Sequence, residues 1–140
     1  MQLQNSLKNE EKYKRIAQER ELILSKANKN LSTVFCLNLE HTFKYERIIR
    51  TLQRGAKLEL NKHHDEIEVK SGFHIVGSIP ENAAKEINQL MSERRSYNAI
   101  ILSILGRDGT DFQTSTIIEN GQEKTIKHLG IEILIEFPMI

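Results

Sequence analysis

HTFKYERIIRTLQR, His41 to Arg54, is the stretch on whose reading the fold turns. Wound at about 100° per residue, it places Tyr45, Ile48, Ile49 and Leu52 on one side and Arg47, Arg50 and Arg54 on the other. Gly55 follows as a C-terminal stop, since glycine takes a left-handed backbone without steric cost. Such a helix docks by its apolar side and shows its charge to something else.

Upstream, Leu31 to Leu39 reads two ways. Phe35, Leu37 and Leu39 alternate as in a strand, whereas Leu31, Phe35 and Leu39 share one side of a helix. The helical period that resumes at Tyr45 favours one helix over Ser32 to Arg54. Residues 3–28 carry Leu3, Leu7, Ile16, Ile23 and Ala27 at helical spacing, with no glycine or proline. Asn28, Lys29 and Asn30 break the two helices, so the front of the chain is expected to form an antiparallel helical hairpin.

After Gly55 the period changes from near 3.6 to 2. Leu58 and Leu60, then Ile67 and Val69, alternate with charged residues around the turn NKHHD. Past Ser71-Gly72, Phe73, Ile75 and Gly77 share one face and His74 and Val76 the other, giving a three-stranded meander. Ser78-Ile79-Pro80-Glu81 matches a capping box with proline in the first turn, and the helix it opens runs over residues 80–95. Ala99 to Leu105 is the most hydrophobic run and reads as a central strand. Asn120-Gly121 marks a tight hairpin between residues 112–119 and 123–127. The last strand alternates Ile131, Ile133, Ile135 and Phe137 with Glu132, Leu134 and Glu136. The expectation is one α+β domain over residues 1–140: a helical front half (1–55), then antiparallel meanders flanking one capped helix (56–140).

At 140 residues, 39% hydrophobic and 28% charged, the composition is globular rather than disordered. The net charge of +1 hides an asymmetry. Residues 1–62 hold 13 Lys and Arg against 7 Asp and Glu, and residues 63–140 hold 7 against 12, so the halves are +6 and −5 (13 − 7 and 7 − 12). Internal neutralisation, or two copies meeting head to tail, would absorb the split. A single cysteine, Cys36, excludes an intramolecular disulfide, and its apolar neighbours suggest a buried thiol. The polar N-terminus and the absence of a long apolar run point to a cytoplasmic protein with no membrane partner.

No motif for a serine or cysteine nucleophile, a dinucleotide loop or a phosphate loop appears, and no cofactor is implied. His63, His64, Asp65 and His74 invite a metal reading, but a converging three-ligand site has no support from their spacing, and polar turn residues explain them better. Glu68-Val69-Lys70 has the Glu-x-Lys spacing of metal-dependent nucleases, with Glu46 or Glu59 as the missing carboxylate. That spacing is common on any exposed strand. The cations Lys44, Arg47, Arg50, Arg54 and Lys57 are the better candidates, because arginine's fork suits carboxylates and phosphates.

The leading expectation is a non-enzymatic interaction, assembly or adaptor protein whose amphipathic front half binds an acidic protein surface or a second copy. A nucleic-acid-binding regulator using the Arg47, Arg50 and Arg54 face is the alternative, and a metal-dependent nuclease the remote third.

Overall fold

Thr33 to Asn38 is a strand, and that one assignment reorganises the front of the molecule. The computed structural model of the chain describes residues 18–25 and 32–138. Within them the architecture is mostly antiparallel β, with eight strands in two sheets and short helices. The strands are β1 (Thr33–Asn38), β2 (Lys57–His63), β3 (Glu66–Ser71), β4 (His74–Ser78), β5 (Asn98–Leu105), β6 (Gln113–Glu119), β7 (Gln122–His128) and β8 (Gly130–Phe137). The helical pieces are residues 18–25 (α1), a 3-10 turn over Thr42–Tyr45 running into α2 (Glu46–Ile49), and α3 (Glu81–Ser92).

The expected helical hairpin is therefore corrected. Thr33, Val34 and Phe35 are β-branched or aromatic and fit a pleated surface better than a helix. They pair with β8, Phe35 opposite Ile135 and Leu37 opposite Ile133. A single helix over Ser32 to Arg54 is also blocked at His41, whose backbone is left-handed at φ 60°. Only Thr42 to Ile49 winds, for about two turns. Ile49 is fully buried, Tyr45, Ile48 and Leu52 pack partly against the core, and the apolar side read from the sequence is real on a much shorter element. Of the first predicted helix, residues 18–25 are helical; residues 3–17 and 26–28 lie outside the described residues.

Six strands form one sheet in the order β1-β8-β5-β2-β3-β4. Its two outer strands meet, because Glu40 just past β1 exchanges both backbone hydrogen bonds with Ser78 at the end of β4, each 2.9 Å. The sheet thus rolls up around its inner face. Gly77 permits that closure: a Cβ there would lie 3.0 Å from the Glu40 carbonyl oxygen and from Leu39 Cβ. Inside sit Leu58, Leu60, Ile67, Val69, Val76, Ile101, Ile131, Ile133, Ile135 and Phe137, joined by Ile87 of α3 and Ile49 of α2. Burying each such side chain contributes about 1.5–3 kcal/mol.

In β4 the face of Val76 turns to the core, and a register shift between Val69 and Lys70 accompanies the β3–β4 pairing. Two smaller expectations change. Ser78 does not cap α3; it serves the closing bridge, Pro80 takes the N-cap position, and the helix ends at Ser92. Asn120-Gly121 does turn a hairpin, but β6 and β7 form a sheet of their own.

Candidate functional site

Two places on this frame offer themselves to a ligand. The first is where the rolled sheet comes apart. β2 and β5 pair only at Lys57–Ile100 and Leu58–Ala99, and beyond that the ladder stops. Tyr97 fills the gap: its hydroxyl accepts from the Leu60 N–H at 2.9 Å and donates to the Leu60 carbonyl at 3.3 Å. The phenol thus stands in for a missing strand residue, while its ring packs on Phe137, centroids 5.9 Å apart. Beside the gap lies an open groove of about 980 Å³, bordered by Lys57, Glu59, Lys70, Phe73, Tyr97 and Asn98. Phe73, at the β3–β4 turn, is 100% exposed. The groove thus sets two lysines, one of them opposite Glu59, beside a solvated ring on which a flat group can stack.

The second place is the β6–β7 hairpin. Both strands are largely exposed, and Ile118 near the tip is 77% exposed. Its base is tied down by buried polar groups. Gln113 donates its Nε2 to the Leu39 carbonyl at 3.2 Å and accepts from the Thr42 hydroxyl at 2.5 Å. His128 is buried, with Nδ1 2.8 Å from the Leu129 carbonyl and Nε2 2.7 Å from Ser115 Oγ. A carbonyl only accepts, so Nδ1 carries the proton, and in the neutral ring Nε2 accepts from the serine. The order resembles that of an activated hydroxyl. With the Phe43 ring packed edge-on at 5.4 Å and the imidazole 2% exposed, however, the pair is closed to a substrate and anchors the hairpin.

The five cations singled out in the sequence do not form one face. Lys44, Arg47 and Lys57 are exposed, and Arg50 is exposed with a 3.4 Å ion pair to Glu46. Arg54 turns inward, giving its Nε to the Leu102 carbonyl at 3.0 Å and pairing with Glu19 of α1. Lys57 alone reaches the groove. Arg107, in the turn after β5, hydrogen-bonds the carbonyls of Ile49, Arg50 and Leu52 and so caps α2. Burial and the neighbouring Arg54 push its guanidinium below the usual range.

The histidines separate as well. His63 and His64 meet edge to face, ring centroids 4.6 Å apart, in the β2–β3 turn, whereas His74 opens β4 at the other end of β3. Glu68 and Lys70 do share a face, with Glu59 directly opposite Lys70, but Glu46 is elsewhere, on α2. Among the described residues no three His, Cys, Asp or Glu side chains converge on a point.

A further cluster lies on the outer face of the sheet. Glu132 takes two 2.9 Å hydrogen bonds from Arg20 of α1 and one of 3.0 Å from Ser103 Oγ. Arg20 holds that carboxyl below the ordinary carboxylate range despite its burial. Cys36, 3.6 Å from the same carboxylate, is exposed rather than buried, and partial desolvation with the adjacent negative charge pushes its thiol up. The cluster holds α1 on β8, whose Leu134 is buried on that side.

Sequence reasoning missed Tyr97, Phe73 and the Ser115–His128 pair. A phenylalanine beside glycine at a turn tip was a usable signal; nothing local marked the other two. Comparison with protein-family models, with curated proteins and with solved structures finds no match for the chain. Among the described residues no helix is long and apolar enough to cross a membrane.

Proposed function

We propose that the chain is a small non-enzymatic interaction or assembly protein, and that its contact element is the β6–β7 hairpin rather than a helical front half. One observation carries this reading. A two-stranded ribbon stands outside the six-stranded sheet with its strands exposed and an isoleucine near its tip. An isolated hairpin is marginal in water, and natural sheets guard or cover their edges. A ribbon anchored by Gln113 and His128 and otherwise bare gains from a partner that covers it.

The test compares the intact chain with a variant whose hairpin is shortened by removing Ile117, Ile118, Glu123 and Lys124. Circular dichroism should report the same folded sheet in both. Light scattering should show association, with itself or with a co-purifying polypeptide, for the intact chain only. Strictly monomeric behaviour with nothing bound, or association that survives the shortening, overturns the reading.

The groove favours a second reading, binding of single-stranded nucleic acid, with Lys57 and Lys70 on phosphates and Phe73 against a base. Two such contacts give a log–log salt slope near −1.4 on a single strand. Oligonucleotide affinity that is undetectable at low salt, or unchanged in Lys57→Glu/Lys70→Glu, removes it.

A further inference from the structure

The two edges of the hairpin are chemically unlike. β6 reads Gln-Thr-Ser-Thr-Ile-Ile-Glu, with no charge before Glu119 and four β-branched residues in a row of five. β7 reads Gln-Glu-Lys-Thr-Ile-Lys-His, with charges at Glu123, Lys124 and Lys127. Lysines on an edge are a standard guard against strand addition. β6 has none, no proline and no bulge in its pairing with β7. Among the described residues it is a long strand with one open side.

The turn fixes which backbone groups that open side presents. Asn120 and Gly121 both have positive φ, 54° and 78°, the signature of a two-residue type I′ loop. Such a loop is closed by a hydrogen-bonded pair, here Glu119 with Gln122. By alternation Ile117, Ser115 and Gln113 also bond to β7, and the N–H and C=O groups of Thr114, Thr116 and Ile118 turn outward. The side chains of these same three residues are exposed on one face of the ribbon.

From this parity we infer that the β6 edge pairs with the β6 edge of a second copy of this chain, antiparallel and two-fold symmetric about Thr116. The inference rests on the interaction reading above and names its partner. A two-fold axis at Thr116 sets Thr116 opposite its own copy, Thr114 opposite Ile118 and Gln113 opposite Glu119. Every outward group then finds a partner, in about six backbone hydrogen bonds, two for each hydrogen-bonded pair. No like charges face each other, and threonines from four strands, Thr125, Thr116 and their copies, form one row across the ribbon. The exposed Ile118 packs beside the other copy's Thr114, a cross-strand contact of the favourable kind. β7 could also meet its copy with Glu123 facing Lys127, but exposed ion pairs add little and three charged stems must be ordered to make them.

Single-cysteine cross-linking tests this directly, in a Cys36→Ser background. In a two-fold pair the Thr116 Cα atoms lie about 5.5 Å apart, within disulfide reach, whereas Thr125 is about 14 Å from its copy. Thr116→Cys should form a disulfide-linked dimer under mild oxidation and Thr125→Cys should not. Sedimentation of the cysteine-free parent should show a dimer whose dissociation constant rises about tenfold or more in Thr116→Lys, which opposes two cations at the axis. A monomeric parent overturns the inference, as does a Thr125 cross-link in place of the Thr116 one. A dimer untouched by Thr116→Lys and not linked through Thr116→Cys also overturns it, while leaving an interaction role through another surface standing.

Discussion

Replacing Tyr97 by phenylalanine removes one oxygen and leaves the ring against Phe137. That oxygen serves both backbone groups of Leu60, at 2.9 and 3.3 Å, where β2 has lost β5 as a partner. Leu60 is buried, so neither group recovers bulk water without the sheet opening further. Two hydrogen bonds at about 1 kcal/mol each give a loss of about 2 kcal/mol. For a chain of this size that is a fall in Tm of roughly 6–10 °C. Urea unfolding followed by circular dichroism measures the loss at unchanged m, since the surface exposed on unfolding is the same. Tyr97→Leu should cost more, because the aromatic contact goes too. A loss below about 0.5 kcal/mol in Tyr97→Phe, the size of an ordinary surface change, would mean that the hydroxyl does not bridge the split sheet.

Three further outcomes follow from the polar contacts around Glu132 and Gln113. Glu132→Gln leaves the Arg20 guanidinium and Ser103 with a weaker acceptor and should cost about 1–3 kcal/mol in the same unfolding assay. Because the folded carboxyl lies below its ordinary value, its contribution is present above pH about 4.3 and is lost as pH falls through the folded value, so the variant should show a shallower acid limb. The same change should make Cys36 alkylate at lower pH, since it removes a negative charge that raises the thiol; an unchanged pH profile would dissociate the two groups. Gly130→Ala should loosen the hairpin base, because a Cβ there would lie 2.2 Å from the Gln113 side chain, and limited proteolysis within residues 107–112 should quicken while the core stays folded.

The β-rich half was legible because its signals are local. Ile131, Ile133, Ile135 and Phe137 alternate and are all fully buried, and Leu58, Leu60, Ile67 and Val69 follow the same rule. Asn120-Gly121 needs only two residues to be read. The front half failed because its outcome depends on partners far along the chain. Phe35, Leu37 and Leu39 suit either period, and what selects the strand is β8, about a hundred residues later. His41 breaks the helix by a backbone angle that no pattern announces. The candidate sites divide the same way. Lys57 and Lys70 could be named as strand cations, but not that a short β2–β5 ladder brings Phe73 and Tyr97 beside them. Arg54 looked free because Glu19 and the Leu102 carbonyl come from separate segments.

The central claim, that the hairpin's β6 edge is the contact surface, is tested most directly by amide hydrogen exchange across a dilution series of the unmodified protein. Thr114, Thr116 and Ile118 direct their N–H groups away from β7, whereas Ser115 and Ile117 direct theirs toward it. Protection at the first three should rise with protein concentration, while protection at the other two, already bonded within the hairpin, changes far less. Fast exchange at Thr114, Thr116 and Ile118 at every concentration, in a sample that still associates, would move the contact surface elsewhere on the molecule.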